Sequence, residues 1–305
     1  MTDQAIRRDA AGSMVNERYD IIPRGSSHVE LEDEDFRRLR DFIKDYSGIF
    51  FSDEQKYILV SRLTGRLALH KLSSFRDYYL FLKYDKERDE ELSAVVDLLT
   101  TNETYFFREI LQLKALFEEI IPSIKAEKTY VQRPSLRIWS AGSSTGEEPY
   151  TVAIMAKEHG VPEDFNLEIY ATDISQRALT ISRKGVYGNT SFRVTDEYHK
   201  KTFFDPAGDK FRLRDDIKNM VKITHMNLMD STVMHLLSPM DVIICRNVMI
   251  YFDLGSKKKL IEKFYEKLNS GGWLLLGHAE SLINITGMFK LVQLKNDLVY
   301  RKPPR

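Results

Sequence analysis

The chain of 305 residues has room for two domains. Its 45 basic and 45 acidic residues cancel to a net charge of zero, which argues against a bulk nucleic-acid binder, more often basic overall. One cysteine, Cys245, excludes a disulfide framework within the chain and fits a reducing compartment.

Residues 1–28 are polar and aperiodic and lack an apolar signal core, so a flexible tail is expected there. No apolar run anywhere approaches the length of a membrane span. A cytoplasmic protein is expected, with no direct membrane insertion; any membrane association would come through a partner.

Residues 29–100 carry helical periodicity and no strand candidate, which predicts a small all-helical domain. "LEDEDFRRLRDFIKDYSG" sets Phe36, Leu39, Phe42, Ile43 and Tyr46 on one face, with acids at its start and Gly48 as its stop. Ser52 is the expected N-cap of the next helix, whose stripe is Leu59, Leu63 and Leu67. "SSFRDYYLFLKY" and "RDEELSAVVDLLT" supply two more helices. The span 55–76 holds five Lys or Arg and no acid, and Arg62, Arg66 and His70 share one helix face. That face is either solvated or a docking surface for an acidic helix.

Residues 101–134 read as a connecting segment and a linker helix, about 109–124, which Pro122 helps to end. In "TNETYFFRE", Asn102, Thr104 and Arg108 fold over a ligand as a lid, or the stretch is a plain linker anchored by Phe106 and Phe107. Spacing alone favours the linker.

From 135 to 305 strands and helices alternate. "SLRIWSA", "NLEIYATD", "MVKITHMN", "MDVIICRN" and "GGWLLLGH" are near-continuous apolar runs, as in a mostly parallel sheet buried on both faces. "DLVYRK" near the C-terminus adds an antiparallel strand. Around 186–220 the alternation breaks, and "KTFFDPAGDKFRLRDD" predicts a small antiparallel insertion turning at Pro206 and Gly208.

Chemistry concentrates where strands end. Gly142 and Gly146 in "SAGSSTGEEP" allow close backbone approach at a strand's carboxyl end. Asp173 in "YATDIS" stands where nucleotide-binding folds keep an acid for ribose hydroxyls, and Ser175 is free to cap the next helix. A dinucleotide's pyrophosphate favours an uncluttered helix start, but Glu147 and Glu148 occupy this one. They repel phosphate and tolerate a sulfonium or ammonium group. S-adenosyl-L-methionine carries both, with a ribose and no phosphate. Asn227 either meets an adenine edge, with Leu228 on the ring face, or satisfies its own loop. In "CRNVMIYFD", Arg246 and Asn247 end an apolar strand, and a charge there needs a partner or a ligand. Tyr251 follows across the strand mouth. The seven histidines are scattered without H-x-x-x-H spacing, and no metal site is expected.

Taken in order, "LTTNETYFFRE", "WSAGSSTGEEPYT", "ATDIS", "CRNVMIYFD" and "GHAES" resemble the CheR-type chemotaxis receptor methyltransferases over residues 30–302. The resemblance implies a Rossmann-like methyltransferase sheet with a small β-subdomain, preceded by the helical domain. It implies methyl transfer from S-adenosyl-L-methionine to glutamate side chains on the cytoplasmic helical domain of chemoreceptors, by a monomer, leaving S-adenosyl-L-homocysteine. By motif position it places Asn102, Thr104, Arg108, Glu148, Asp173, Asn227, Leu228, Arg246 and Asn247 at the cofactor. It thereby makes the "TNETYFFRE" stretch a lid. Arg108 and Tyr251 stand nearest the methyl group, and Lys56, Arg62 and Arg66 become candidates for steering a Glu-rich receptor helix. The turn "DPAGD" is shorter than in members that hold a receptor's C-terminal pentapeptide, so that tether is not implied. A non-catalytic S-adenosylmethionine-binding module, or methylation of another acidic protein, is the alternative.

Overall fold

The computed structural model describes residues 29–128, 134–160 and 165–304. The tail expected over 1–28 lies outside them.

Four helices open the fold. α1 (Asp33–Ser47) begins with three acids, which complement its dipole, and ends at Gly48, whose φ of 80° lets its N–H bond Lys44 O. Phe36, Leu39 and Ile43 are buried. A 3-10 turn at Asp53–Gln55 is fixed by Ser52 N–H donating to Gln55 Oε1 at 2.9 Å. It leads into α2 (Lys56–Leu69), which buries Leu59, Leu63 and Leu67. α3 (Phe75–Tyr84) is capped by Ser74, and α4 (Arg88–Leu99) completes the set.

The stretch after α4 is irregular up to α5 (Ile110–Ala115), a π-turn (Leu116–Ile120) and α6 (Ile121–Glu127). The helix therefore runs through Pro122 instead of ending there. Proline has no N–H, and its ring presses on the carbonyl four residues back. The wider turn, in which Ile121 N–H reaches Leu116 O, accommodates both.

β1 (Ser135–Ala141), α7 (Glu147–His159), β2 (Asn166–Asp173) and α8 (Gln176–Lys184) form the first crossover. A three-stranded antiparallel sheet follows, made of β3 (Val186–Tyr187), β4 (Phe204–Ala207) and β5 (Lys210–Leu213), with α9 (Glu197–Phe203) before β4 and α10 (Asp215–Lys218) after β5. β6 (Val221–His225), α11 (Ser231–His235), β7 (Met240–Cys245), α12 (Leu254–Lys267) and β8 (Leu268–Leu276) return to the main sheet. β9 (Lys290–Gln293) and β10 (Leu298–Arg301) finish it.

The seven strands lie in the order β6-β2-β1-β7-β8-β10-β9. The first five are parallel, and β10 is antiparallel to both neighbours. The expected fold class is thus borne out, with β9 as an additional edge strand. Successive strand residues feed opposite faces. Trp139 and Ile243 join a core shared with α1–α4 and α12, whereas Ile138, Val242 and Ile244 join a second core with α5–α7 and the small sheet. Strand order reverses beside β1, where the chain leaves for β2 and later returns to β7. Such a switch point opens a crevice at the strands' carboxyl ends.

Candidate active site

A cavity of about 970 Å³, counting its open mouth, fills that crevice. Its floor is the turn after β1. Gly142 and Ser143 both donate to Thr172 O, at 2.8 and 2.9 Å, which binds the turn to β2. Gly142 has φ +80°, and a Cβ there would stand 2.5 Å from Val248 Cγ2. Glycine is required by conformation and by space.

Asp173 lines the cavity from the end of β2. It is not idle: Ser144 N–H donates to one carboxylate oxygen at 2.7 Å and Ser175 N–H to the other at 2.8 Å. Ser175 Oγ accepts from Ala178 N–H, so the serine is the helix cap. Burial pushes the Asp173 carboxyl up, against the pull of these N–H groups. A carboxylate has about four lone-pair directions, so two remain for a ligand.

The two glutamates opening α7 part company. Glu148 lines the cavity and accepts Ser140 Oγ and Arg246 Nε, each at 2.7 Å. Glu147 turns away. It is buried against the small sheet, accepting Thr145 Oγ at 2.6 Å and Ser191 Oγ at 2.9 Å, and burial raises its pKa. The expectation that both acids guard the entrance is corrected to Glu148 alone, because the helix turn separates adjacent side chains by about 100°.

Arg246, at the end of β7, is almost fully buried, with Glu148 as its main partner and Glu109 O at 3.2 Å. Asn247 follows in the left-handed region, at φ +60°. Both line the cavity, as do Val248, Tyr251 and Phe252. Tyr251 is 38% exposed, at the rim. From β6, Asn227 and Leu228 form another wall. The Asn227 amide is engaged locally: its N–H donates to Tyr46 O at 2.5 Å, and its oxygen accepts Met229 N–H at 2.9 Å. It satisfies backbone and ties the sheet domain to α1.

The "TNETYFFRE" stretch covers the cavity. Asn102, Thr104 and Arg108 line it, and Ser144 Oγ reaches Asn102 at 3.3 Å. Arg108 donates to Glu103 O at 3.0 Å and lies between two left-handed residues, Phe107 and Glu109. Phe106 is fully buried among Tyr187, Phe192 and Phe204. The stretch is anchored as a linker would be and also closes a pocket.

The helical domain supplies a further wall through Ser47 and Ile49. Phe50 N–H bonds Tyr251 O at 2.9 Å, and Ile49 forms a β-bridge with Phe252. A Cβ on Gly48 would meet the Phe252 ring at 2.8 Å. Sequence spacing gave no sign of this wall, since just over 200 residues separate the partners.

The basic face of α2 has a different neighbour from either one expected. Arg62 donates to Leu98 O at 2.8 Å, and Arg66 makes a two-pronged pair with Glu91. His70 and the Tyr78 hydroxyl bond the same carboxylate. The face packs on α4, where Arg66 is paired with a buried acid. Burial alone would push the Glu91 carboxyl up, but the hydrogen bonds from Arg66, Tyr78 and His70 prevail and hold it at about 2. Lys56 pairs with Asp33 at 2.6 Å. Arg62, with no acid beside it among the described residues, keeps its charge outward.

Residues 34–100 match a family model described as "CheR methyltransferase, all-alpha domain", and residues 102–298 match "CheR methyltransferase, SAM binding domain". The chain is 38% identical over 281 residues to chemotaxis protein methyltransferase 2 of Vibrio cholerae, covering 91% of this chain and 96% of that one. It is 35% identical to a chemotaxis protein methyltransferase of Vibrio parahaemolyticus, covering 90% and 98%. A third, from Borreliella burgdorferi, is 34% identical, covering 84% and 90%.

Proposed function

The chain belongs to the CheR methyltransferase family of S-adenosylmethionine-dependent enzymes, and from that premise we propose that it esterifies glutamate side chains of chemoreceptors. The acceptors are carboxylates on the receptors' cytoplasmic helical bundle, and the enzyme acts in the cytoplasm as a monomer. Among the described residues no helix is long and apolar enough to cross a membrane.

The residues present fit the cofactor. Glu148 offers a carboxylate to an ammonium group, and its ion pair keeps Arg246 from presenting a net positive charge to a sulfonium. Asp173 retains lone pairs for ribose hydroxyls, and Leu228 gives an apolar face to a purine. Ser143 Oγ is buried at the cavity without a hydrogen-bond partner among the described residues, a site for a ligand's polar group. Asn227 holds the loop that carries Leu228. When bound, S-adenosyl-L-methionine supplies a methyl group on a positively charged sulfur and leaves as S-adenosyl-L-homocysteine.

The protein's own task is then mainly positioning. A glutamate acceptor is already ionised at neutral pH, so no general base is needed. Arg108 and Tyr251 share the cavity's lining, the tyrosine at its exposed rim. Arg108 draws the carboxylate in, while Tyr251 donates one hydrogen bond and leaves the other oxygen reactive. The narrow, partly covered pocket limits water around the nucleophile.

The observation that carries this reading is the meeting of Glu148, Asp173, Arg108 and Tyr251, from four separate stretches, around one cavity. Incubation with methyl-labelled cofactor and receptor-containing membranes tests it. The expected label is base-labile and released as methanol, as for a carboxyl ester. Base-stable label, or cofactor binding without transfer, would refute it. Tyr251→Phe is expected to lower turnover about tenfold, the worth of one hydrogen bond to a charged group, with little change in S-adenosylhomocysteine affinity. Equal loss of both would remove Tyr251 from that role.

A further inference from the structure

The "GHAES" stretch after β8 holds an acid to which neither the cavity nor the proposed reaction assigns a task. Glu280 is largely withdrawn from water, and its two oxygens face only backbone donors. Oε2 accepts Gly277 N–H and Asn247 N–H, both at 2.8 Å. Oε1 accepts Val248 N–H at 3.0 Å and Ile250 N–H at 3.2 Å. Three of these donors belong to the turn between β7 and Tyr251, 30 or more residues away in sequence.

Successive N–H groups converging on one point make an anion-binding concavity, and here the chain fills it with its own carboxylate. The conformation needs such a filler. Asn247 has φ +60°, which costs a non-glycine residue energy. The N–H groups of Asn247, Val248 and Ile250 would otherwise crowd together without an acceptor. The close approach depends on Gly277, where a Cβ would stand 2.9 Å from Asn247 N and 3.0 Å from Glu280 Oε2. The turn held this way carries Asn247 and Val248 on the cavity wall and Tyr251 at its rim.

We propose that Glu280 is a positioning residue for methyl transfer: its carboxylate sets the Asn247–Tyr251 turn and so aims the Tyr251 hydroxyl at the acceptor. This rests on the acceptor-side role of Tyr251 proposed above. Glutamine is the informative replacement. It keeps the size, but its amide nitrogen turns two hydrogens toward N–H donors, so two of the four bonds fail.

The test is a double-mutant cycle of Glu280→Gln with Tyr251→Phe, read as turnover at saturating cofactor on receptor membranes. Glu280→Gln is expected to lower kcat by up to about tenfold, the full cost of losing the Tyr251 hydrogen bond, and to change the receptor KM less than threefold. In the Tyr251→Phe background the same substitution is expected to cost under threefold, because the group it aims is gone. An equal fold-loss in both backgrounds, or a Glu280→Gln enzyme of normal turnover, overturns the proposal. If Tyr251→Phe alone leaves turnover unchanged, the assignment of Tyr251 fails instead. Heat of S-adenosylhomocysteine binding reports whether each variant is folded. Should Glu280→Gln not fold, Glu280→Asp, one methylene too short to span the four donors, takes its place in the cycle with the same expectations.

Discussion

Replacing Gly142 by alanine probes the cavity floor with one methyl group. At φ +80° an alanine is strained by about 1–2 kcal/mol. Its Cβ would lie 2.5 Å from Val248 Cγ2, well inside the ~3.5–4.0 Å of an ordinary carbon contact. Relieving that overlap by shifting Val248 or the turn costs roughly a further 1–3 kcal/mol. The sum, about 3 kcal/mol, is expected to lower the melting temperature by roughly 6–12 °C for a chain of this size. Because Val248 adjoins Asn247 and both line the cavity, S-adenosylhomocysteine binding is expected to weaken about tenfold or more, equal to ~1.4 kcal/mol. Melting curves and calorimetry measure the two effects. Val248→Ala in the same chain removes the clash but not the strain, so the double variant should recover about 1–2 kcal/mol relative to additivity. A Gly142→Ala protein of unchanged stability and affinity would refute the reasoning, and so would strict additivity with Val248→Ala.

Glu91, held at about 2 in the fold against an ordinary 4.5, contributes stability that is present above pH 4.5 and lost as pH falls toward 2. The shift corresponds to about 3 kcal/mol, so Glu91→Gln should flatten the acid limb of a urea-melt pH profile; an unchanged limb would show that other groups set it. Asn227→Ala should cost about 2 kcal/mol through two lost hydrogen bonds, and hydrogen exchange at the end of α1 should quicken. Protection that stays the same would mean Asn227 does not hold the two domains together. Arg62→Glu should reduce receptor methylation at low ionic strength and less so at 0.5 M salt, with cofactor affinity unchanged; a salt-independent loss would count against steering.

Elements written into local pattern were legible. The caps at Gly48 and Ser175, the leucine stripe of α2 and the near-continuous apolar strands each depend on neighbours within a few residues. The hairpin was legible too, with its turn at Gly208, although Pro206, expected in the turn, lies in β4 opposite Phe211. Features set by distant partners were not. Pro122 marks a helix end on propensity, and only the π-turn before it shows why the helix continues. Arg66 and His70 read as surface charge because their partner, Glu91, is 20 or more residues away. Glu147 and Glu148 are indistinguishable as neighbours until the turn sends them to different faces of the helix. Among site residues, strand-end positions such as Asp173 and Arg246 were visible because polar groups there break an apolar run. Glu109 and Glu280 lacked that contrast. Neither ends an apolar strand, and their importance lies in what they touch across the fold.

The back wall contributed by Ser47 and Ile49 has an evolutionary corollary. The four-helix segment is a natural unit to exchange when a new receptor must be recognised. Yet any such exchange also replaces part of the wall of the cavity proposed for the methyl donor, and the strand-like seam beside Tyr251. On the proposed function, target choice and donor affinity would be inherited together. Chimaeras joined near residue 100 should inherit donor affinity in step with how well the incoming Gly48–Ile49 segment mates with Phe252.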